Sequence, residues 1–394
     1  MSKSSKLTAL LFAVSKYTEV AFLALMSYFV ASRLGAVQYG QLSPYMVIVT
    51  YSAYFLLGVN QYVVKGVSVG NLSVDDAISR SIFYFIPGVI GMLVILGIFN
   101  NYQYKFLLIL VVSLMLLRNI SISIARVTNS MKILSIGNFV SAAVFLGLAY
   151  VYINSVSSYL IAWAFSISSS LLILIFCYRI SYKTIKGTMN LSAHLTGLKE
   201  SISFVLSGII TTYFLTAERT ILIRMNAEDE MIGLYQFSDQ VGLAIYIGIS
   251  SLIFYFTPNI YKKFSIEKNF GKSENILFIT ITIIAPVISF AMALMCRYLF
   301  AQNLPEFVVT IVPIFQTVLS RILLSLLVLI SMVMFAKNMQ RYYILVCGAI
   351  ILSFLFVSLI VNNYELLIYL NIGTLLIALI IFMCKLNNNY NYDI

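Results

Sequence analysis

Eight ionisable residues stand inside otherwise apolar stretches of the chain: Lys16, Glu19, Arg118, Glu218, Arg219, Arg224, Asp239 and Arg321. A charge at the centre of a bilayer costs about 2.5–3.5 kcal/mol on insertion scales, so each needs a partner, a route to the surface or a watery cavity. Five are basic and three acidic. If every acid found a partner, positive charge would remain. Such a surplus suits an anionic ligand such as a diphosphate, whose oxygens a guanidinium binds bidentately.

The eight differ in what their positions allow. Arg321 stands halfway along its stretch. Two roles are open to it: a cavity cation that meets a diphosphate or a sugar acid, or a structural arginine that caps carbonyls of a helix broken near Pro313. Arg118, near Ser121 and Ser123, is either a second cavity cation or a side chain that snorkels to the surface. Lys16 and Glu19 are three residues apart and share a helix face. They either pair with each other or line a cavity mouth beside Tyr17 and Thr18. Arg219 and Asp239 lie at similar depths in consecutive stretches, roughly 8–10 Å inside at 1.5 Å per residue. A hairpin bridge between them is feasible; Arg219 is otherwise a substrate-binding cation. Glu218 is then the acid without an assigned partner, a natural carrier of H+ or Na+, with Asp239 and Glu19 the other ion-coupling candidates. Arg224, near a stretch end, is expected to snorkel outward. Tyr51, Tyr54, Tyr62 and Tyr213 either line a cavity or belong to the interfacial aromatic belt.

The elements that position these residues are membrane spans. The chain has 394 residues, 61% of them hydrophobic and 10% charged. A hydrocarbon core about 30 Å thick needs roughly 20 apolar residues of helix. About twelve stretches qualify: 9–31, 42–64, 80–99, 105–125, 133–154, 158–178, 201–224, 232–256, 276–300, 307–336, 342–361 and 365–384. Backbone groups in lipid must be satisfied within the segment, and the runs lack the alternation of a barrel strand, so all are predicted helices.

Charge sets the topology. With a cytoplasmic N-terminus, 17 of the 25 Lys and Arg residues fall in cytoplasmic segments, three (Arg33, Lys105, Arg297) outside and five within spans. Both termini are therefore predicted cytoplasmic. The net charge of +11 thus reflects topology and not nucleic acid, for which a contiguous basic stripe would be needed. Lys3 and Lys6 precede a long apolar stretch without a clear cleavage site, so it reads as a first span rather than a leader. Cys177, Cys296, Cys347 and Cys384 lack CxxC spacing, and His194 is the only histidine. No metal site, cofactor or hydrolytic constellation is expected, and no GxxxxGK[ST] loop is present. Asp75 and Asp76 follow Ser73 as expected helix-start residues.

The expected organisation is an N-terminal six-helix bundle over 1–180, a cytoplasmic linker over 181–200 and a C-terminal six-helix bundle over 201–394. The halves share faint likeness: Tyr39-Gly40-Gln41-Leu42-Ser43 follows span 1, and Ile232-Gly233-Leu234-Tyr235-Gln236-Phe237-Ser238 follows span 7. Pro87 in span 3 and Pro286 in span 9 predict interrupted helices at matching places, a pointer to a repeat-built transporter.

The stretch from Ala31 to Gly40, then Gly58-Val59-Asn60-Gln61 and Lys65-Gly66, then Gly233-Leu234-Tyr235 and Pro258, resembles bacterial O-antigen-type polysaccharide flippases of the multidrug/oligosaccharidyl-lipid/polysaccharide (MOP) exporter superfamily. The likeness covers the whole chain as topology and about 60 residues as motif. It implies a non-enzymatic, multi-pass protein of the bacterial inner membrane, with two bundles around a central cavity that opens alternately to each side. Its cargo would be an undecaprenyl-diphosphate-linked oligosaccharide, moved to the periplasmic leaflet by H+, Na+ or removal of cargo, with a polysaccharide polymerase as a possible partner. A drug or small-solute exporter of the same superfamily is the main alternative, and a membrane polysaccharide polymerase a lesser one. Cationic drugs call for an acidic cavity, and a polymerase for a long external loop; the chain offers neither.

Overall fold

The computed structural model describes residues 3–98, 103–128, 130–178, 191–266, 272–308 and 311–388. Among these residues the regular structure is all helical. In chain order the helices are α1 (Lys3–Tyr51), α2 (Val59–Val69), α3 (Val74–Phe83), α4 (Phe85–Ile98), α5 (Lys105–Val127), α6 (Met131–Val151) and α7 (Val156–Tyr178). There follow α8 (Leu191–Arg224), α9 (Asp229–Ile266), α10 (Lys272–Phe300), the single turn α11 (Pro305–Val308), α12 (Val312–Ala336), α13 (Gln340–Ile360) and α14 (Tyr364–Asn388). Nine helical segments among the described residues are long and apolar enough to cross a membrane. A pair bent by 46° around Leu57 and Gly58 makes ten. The protein is an all-α, multi-pass membrane protein. The predicted spans 9–31 and 232–256 fall on α1 and α9, where several side chains lie outside the described residues.

Local chemistry accounts for the helix ends and breaks. Ser73 caps α3, accepting from the Asp76 N–H at 3.1 Å while donating to the Asp76 carboxylate at 2.7 Å. Span 3 breaks at Tyr84, three residues before Pro87. Its counterpart α10 continues through Pro286, so the matching interruption expected of the second half is missing. The connector predicted between spans 1 and 2 shrinks to one residue. Gly35 alone leaves helical geometry, with φ 67°, a value open to glycine at no steric cost. The predicted linker also differs. Residues 181–190 lie outside the described residues, and 191–200 form the first turns of α8. Leu191, Leu195 and Leu198 recur at helical spacing there, enough to carry the helix past the apolar run.

The chain divides into two compact units, residues 1–33 with 45–209, and residues 34–44 with 210–394. In the first, Val59, Val63, Val64, Ala77, Tyr84 and Val127 form one buried cluster, and Leu56, Leu116, Ile120 and Ile124 another. The early turns of α8 belong here because Gly58 lets them approach: a Cβ on Gly58 would stand 2.6 Å from the Ser201 carbonyl oxygen. Arg80 donates to the Tyr62 hydroxyl at 2.8 Å.

In the second unit α12 is the central helix, with 89% of its apolar window buried. A helix hydrophobic all round belongs in an interior. Segment 36–44 of α1 crosses α9 in direct backbone contact. A side chain on Gly40 would collide with the Asp229 carbonyl, and one on Gly233 with the Ala36 carbonyl. Each carbonyl belongs to the residue four positions before the opposite glycine. The contact is reciprocal, as across a two-fold axis, and one separation in sequence relates both Gly40 to Gly233 and Ala36 to Asp229. Beside it the Ala36 N–H donates to Glu306 at 3.2 Å, and Gln41 to Asp229 at 3.2 Å. A carboxylate at the start of a helical segment complements its unpaired N–H groups and dipole.

Candidate functional site

Four of the eight intramembrane charges meet inside the second unit. Helix α8 supplies Glu218 and Arg219, α9 supplies Asp239, and α12 supplies Arg321. Neighbours in sequence point about 100° apart on a helix, so Glu218 and Arg219 reach different partners. Arg219 Nη2 stands 3.0 Å from Asp239 Oδ2, and its Nη1 donates to Gln236 Oε1 at 3.0 Å. Glu218 faces Arg321: Nη2 donates to Oε2 at 2.8 Å and Nη1 to Oε1 at 3.4 Å. Arg321 also donates from Nε to Asp239 Oδ1 at 2.9 Å, and its Nη2 bonds the same oxygen. Its Nη1 reaches the Phe214 carbonyl at 3.0 Å and Ser320 Oγ at 2.8 Å.

Arg321 and Glu218 are fully buried, Asp239 is 1% and Arg219 3% exposed. Two guanidinium groups and two carboxylates therefore form one closed network with Asp239 as the bridge, and their formal charges cancel. Burying a pair of charges is tolerable only when the geometry is good and further hydrogen bonds satisfy the remaining donors. The Phe214 carbonyl, Ser320 and Gln236 provide such bonds, while the buried Arg219 Nε is left without one. Helices α9 and α12 are further joined by Thr317 Oγ1, which donates to the Ser238 carbonyl at 3.0 Å, and by the Tyr235 hydroxyl, which donates to Gln316 at 2.8 Å. Gly242, one turn beyond Asp239, makes room for the arginine stem: a Cβ there would lie 2.9 Å from Arg321 Cγ and 3.0 Å from the Thr317 carbonyl oxygen.

This geometry revises two expectations. Arg321 neither caps a broken helix, since Pro313 sits in the first turn of an uninterrupted α12, nor stands open as a cavity cation: it is fully buried and binds Glu218, Asp239 and a carbonyl of α8. Glu218 is not an unpartnered acid. Its partner comes from a helix about 100 residues later in sequence, beyond the reach of a comparison confined to consecutive spans. The Arg219–Asp239 bridge is present. Arg118 lies in the other unit, half-buried, and donates to Asn138 of α6 at 3.1 Å. Arg224 is exposed and donates to Ser358 Oγ at 2.6 Å. Lys16 and Glu19 lie on α1, with side chains outside the described residues. Gln236, Ser320 and Gly242 are participants that charge counting missed. The signal for two of them was helical spacing: Gln236, Asp239 and Gly242 recur every third residue on one face. Among the described residues no group of three or more His, Cys, Asp or Glu could hold a metal ion.

Neither a family model nor a curated protein matches the sequence. Solved structures do match the fold. The chain is similar to an inward-facing multidrug-resistance MATE-family transporter of the MOP superfamily, with TM-score 0.63 and 12% identity over 97% of this chain and 100% of that one. It is similar to a mutant of the Vibrio cholerae MATE transporter VcmN, with TM-score 0.64 and 14% identity over 96% of both chains. A MOP-superfamily transporter from Pyrococcus furiosus, described as having a binding pocket of reversed polarity and a different function, aligns with TM-score 0.55 and 11% identity over 97% of this chain and 96% of that one. The fold is that of MATE transporters of the MOP superfamily. At these identities the likeness speaks to fold, and cargo has to be argued from the residues.

Proposed function

We propose that the protein is an alternating-access transporter that carries an undecaprenyl-diphosphate-linked oligosaccharide from the cytoplasmic to the periplasmic leaflet of a bacterial inner membrane. The fold supports transport without covalent change to the cargo. The observation that favours this cargo is the neutral network: both of its carboxylates, Glu218 and Asp239, are engaged by arginines. A cationic drug needs an acid free to meet it, and these two are occupied. The expected membrane-depth cations Arg118 and Lys16 would meet the diphosphate, with both termini cytoplasmic. Ion coupling, if the cycle uses H+ or Na+, rests with Glu19, because Glu218 and Asp239 would first have to leave their arginines.

A drug-export reading draws support from the structural neighbours described as multidrug-resistance transporters. One experiment separates the two. The gene is deleted, and lipid extracts are analysed for undecaprenyl-linked glycan while susceptibility to cationic dyes is measured. Accumulation of a lipid-linked glycan on the cytoplasmic face, with unchanged dye susceptibility, is expected. Increased dye susceptibility with no accumulated glycan would overturn the proposal in favour of drug export.

A further inference from the structure

A shallow groove in the second unit runs beside α8, α13 and α14; about 40 Å³ of it is enclosed and the rest lies open to the surroundings. It lies apart from the charge network and has a polar and an apolar end. Tyr213, Ala217, Thr220, Ile221 and Arg224 line it from α8, a spacing of four, three, one and three that keeps them on one helix face. Tyr213 packs edge-on against Phe354 of α13, with ring centroids 6.4 Å apart, and closes the inner end. At the other end the exposed Arg224 is fixed by α13: its Nη1 donates to Ser358 Oγ at 2.6 Å and its Nη2 to the Ser358 carbonyl at 3.5 Å. Two of the five N–H donors of a guanidinium are so used, and the others remain to meet an anion.

The dimensions identify the occupant. Tyr213 and Arg224 are eleven residues apart on α8, about 16 Å at 1.5 Å per residue. One leaflet is half of a hydrocarbon core about 30 Å thick. The groove is therefore about as long as a single leaflet is thick, with an arginine at one end and an aromatic pair at the other. Its lining contains one cation, Arg224, and no acid. One positive charge suits a phosphodiester monoanion, whereas a diphosphate would bring more negative charge than one guanidinium balances.

We propose that this groove binds one anionic phospholipid of the leaflet bordering the α8–α9 turn, with its phosphodiester on Arg224 and one acyl chain along the stripe from Thr220 to Tyr213. The inference requires only that the chain spans the membrane and is independent of the cargo proposed above.

The test uses the purified full-length protein in a neutral detergent, titrated with phosphatidylglycerol, with bound lipid counted by native mass spectrometry. One retained lipid per chain is expected. Arg224→Gln should weaken binding by about tenfold or more, the range of a lost hydrogen-bonded charge contact. Thr220→Trp, at an exposed position facing the groove, should exclude the acyl chain while leaving Arg224 in place. Diacylglycerol, which lacks the anion, and glycerol 3-phosphate, which lacks the chains, should both fail to compete. Circular dichroism and gel filtration matching the wild type establish that each variant is folded. Wild-type retention of phosphatidylglycerol by either folded variant would overturn the site. Displacement of phosphatidylglycerol by a lower concentration of undecaprenyl diphosphate would overturn the assignment to phospholipid and give the groove to a polyprenyl carrier.

Discussion

Removing the Arg321 guanidinium should be more damaging alone than together with its acid partner. Arg321→Met takes away every donor that Glu218 receives from it and one of the two arginines on Asp239. Both carboxylates are buried. Breaking a buried ion pair from one side costs about 3–5 kcal/mol, because it strands a charge. Glu218→Gln removes the stranded charge and leaves Arg321 its bonds to Asp239, Phe214 and Ser320. That single change should cost about 1.5–3 kcal/mol, the range for a hydrogen bond to a charged group. In the double variant the Arg219–Asp239 bridge survives and the site is again neutral. Replacing a whole buried pair by groups of similar volume is often close to neutral, so the double variant should be more stable than Arg321→Met alone. The coupling energy should lie near the upper end of the roughly 0.5–3 kcal/mol seen for contacting residues. Equilibrium unfolding of the four proteins in mixed micelles measures it. Additive losses, with coupling below about 0.5 kcal/mol, would show that Glu218 and Arg321 do not act as a pair and refute the network.

Other changes probe the same frame. Gly242→Leu places a branched side chain against the Arg321 stem and the Thr317 carbonyl and should cost about 1–3 kcal/mol or more by overpacking, read as reduced membrane abundance and earlier unfolding. Arg219→Ala and Asp239→Ala should each lower abundance, and the exchange Arg219→Asp with Asp239→Arg should not recover it on immunoblots, because it sets a second guanidinium against Arg321; full recovery would show that Asp239 does not bridge both arginines. Gly40→Leu and Gly233→Leu should each be disruptive, since either side chain meets a backbone carbonyl. A smaller loss from Gly97→Leu, where a Cβ would meet nothing within 4 Å, serves as the control in the same thermal-unfolding series.

The fold class was legible because membrane helices announce themselves. Long apolar runs and the segregation of Lys and Arg are one-dimensional signals, and most predicted spans appear within a few residues of their helices. Connections were less legible. The break before span 2 rests on the backbone freedom of Gly35, and the start of α8 on three leucines spaced through an otherwise polar stretch. The four charged residues of the network were all visible in sequence, because any charge inside an apolar run stands out. Who binds whom was only half visible. Arg219 and Asp239 belong to one hairpin, where depth can be counted from a shared turn. Arg321 joins them through the packing of α12 against α9 and the reach of its side chain to α8, a tertiary fact that spacing does not encode. Gly242 showed only its helical spacing from Asp239; its meaning is the arginine stem lying across it. The reciprocal crossing at Gly40 and Gly233 was foreshadowed by the short motif shared between the halves, although the proline pattern thought to accompany it did not persist at Pro286.

The proposed cargo is tested by reconstitution. The purified protein is placed in proteoliposomes carrying fluorescent undecaprenyl-diphosphate-linked oligosaccharide in both leaflets, and accessibility of the glycan to an external glycosidase is followed over time. The account predicts that glycan initially protected inside becomes accessible at a rate that depends on the protein, while a cationic dye loaded into the same vesicles is not moved. Protein-dependent movement of the dye, with the inner glycan remaining protected, would contradict it.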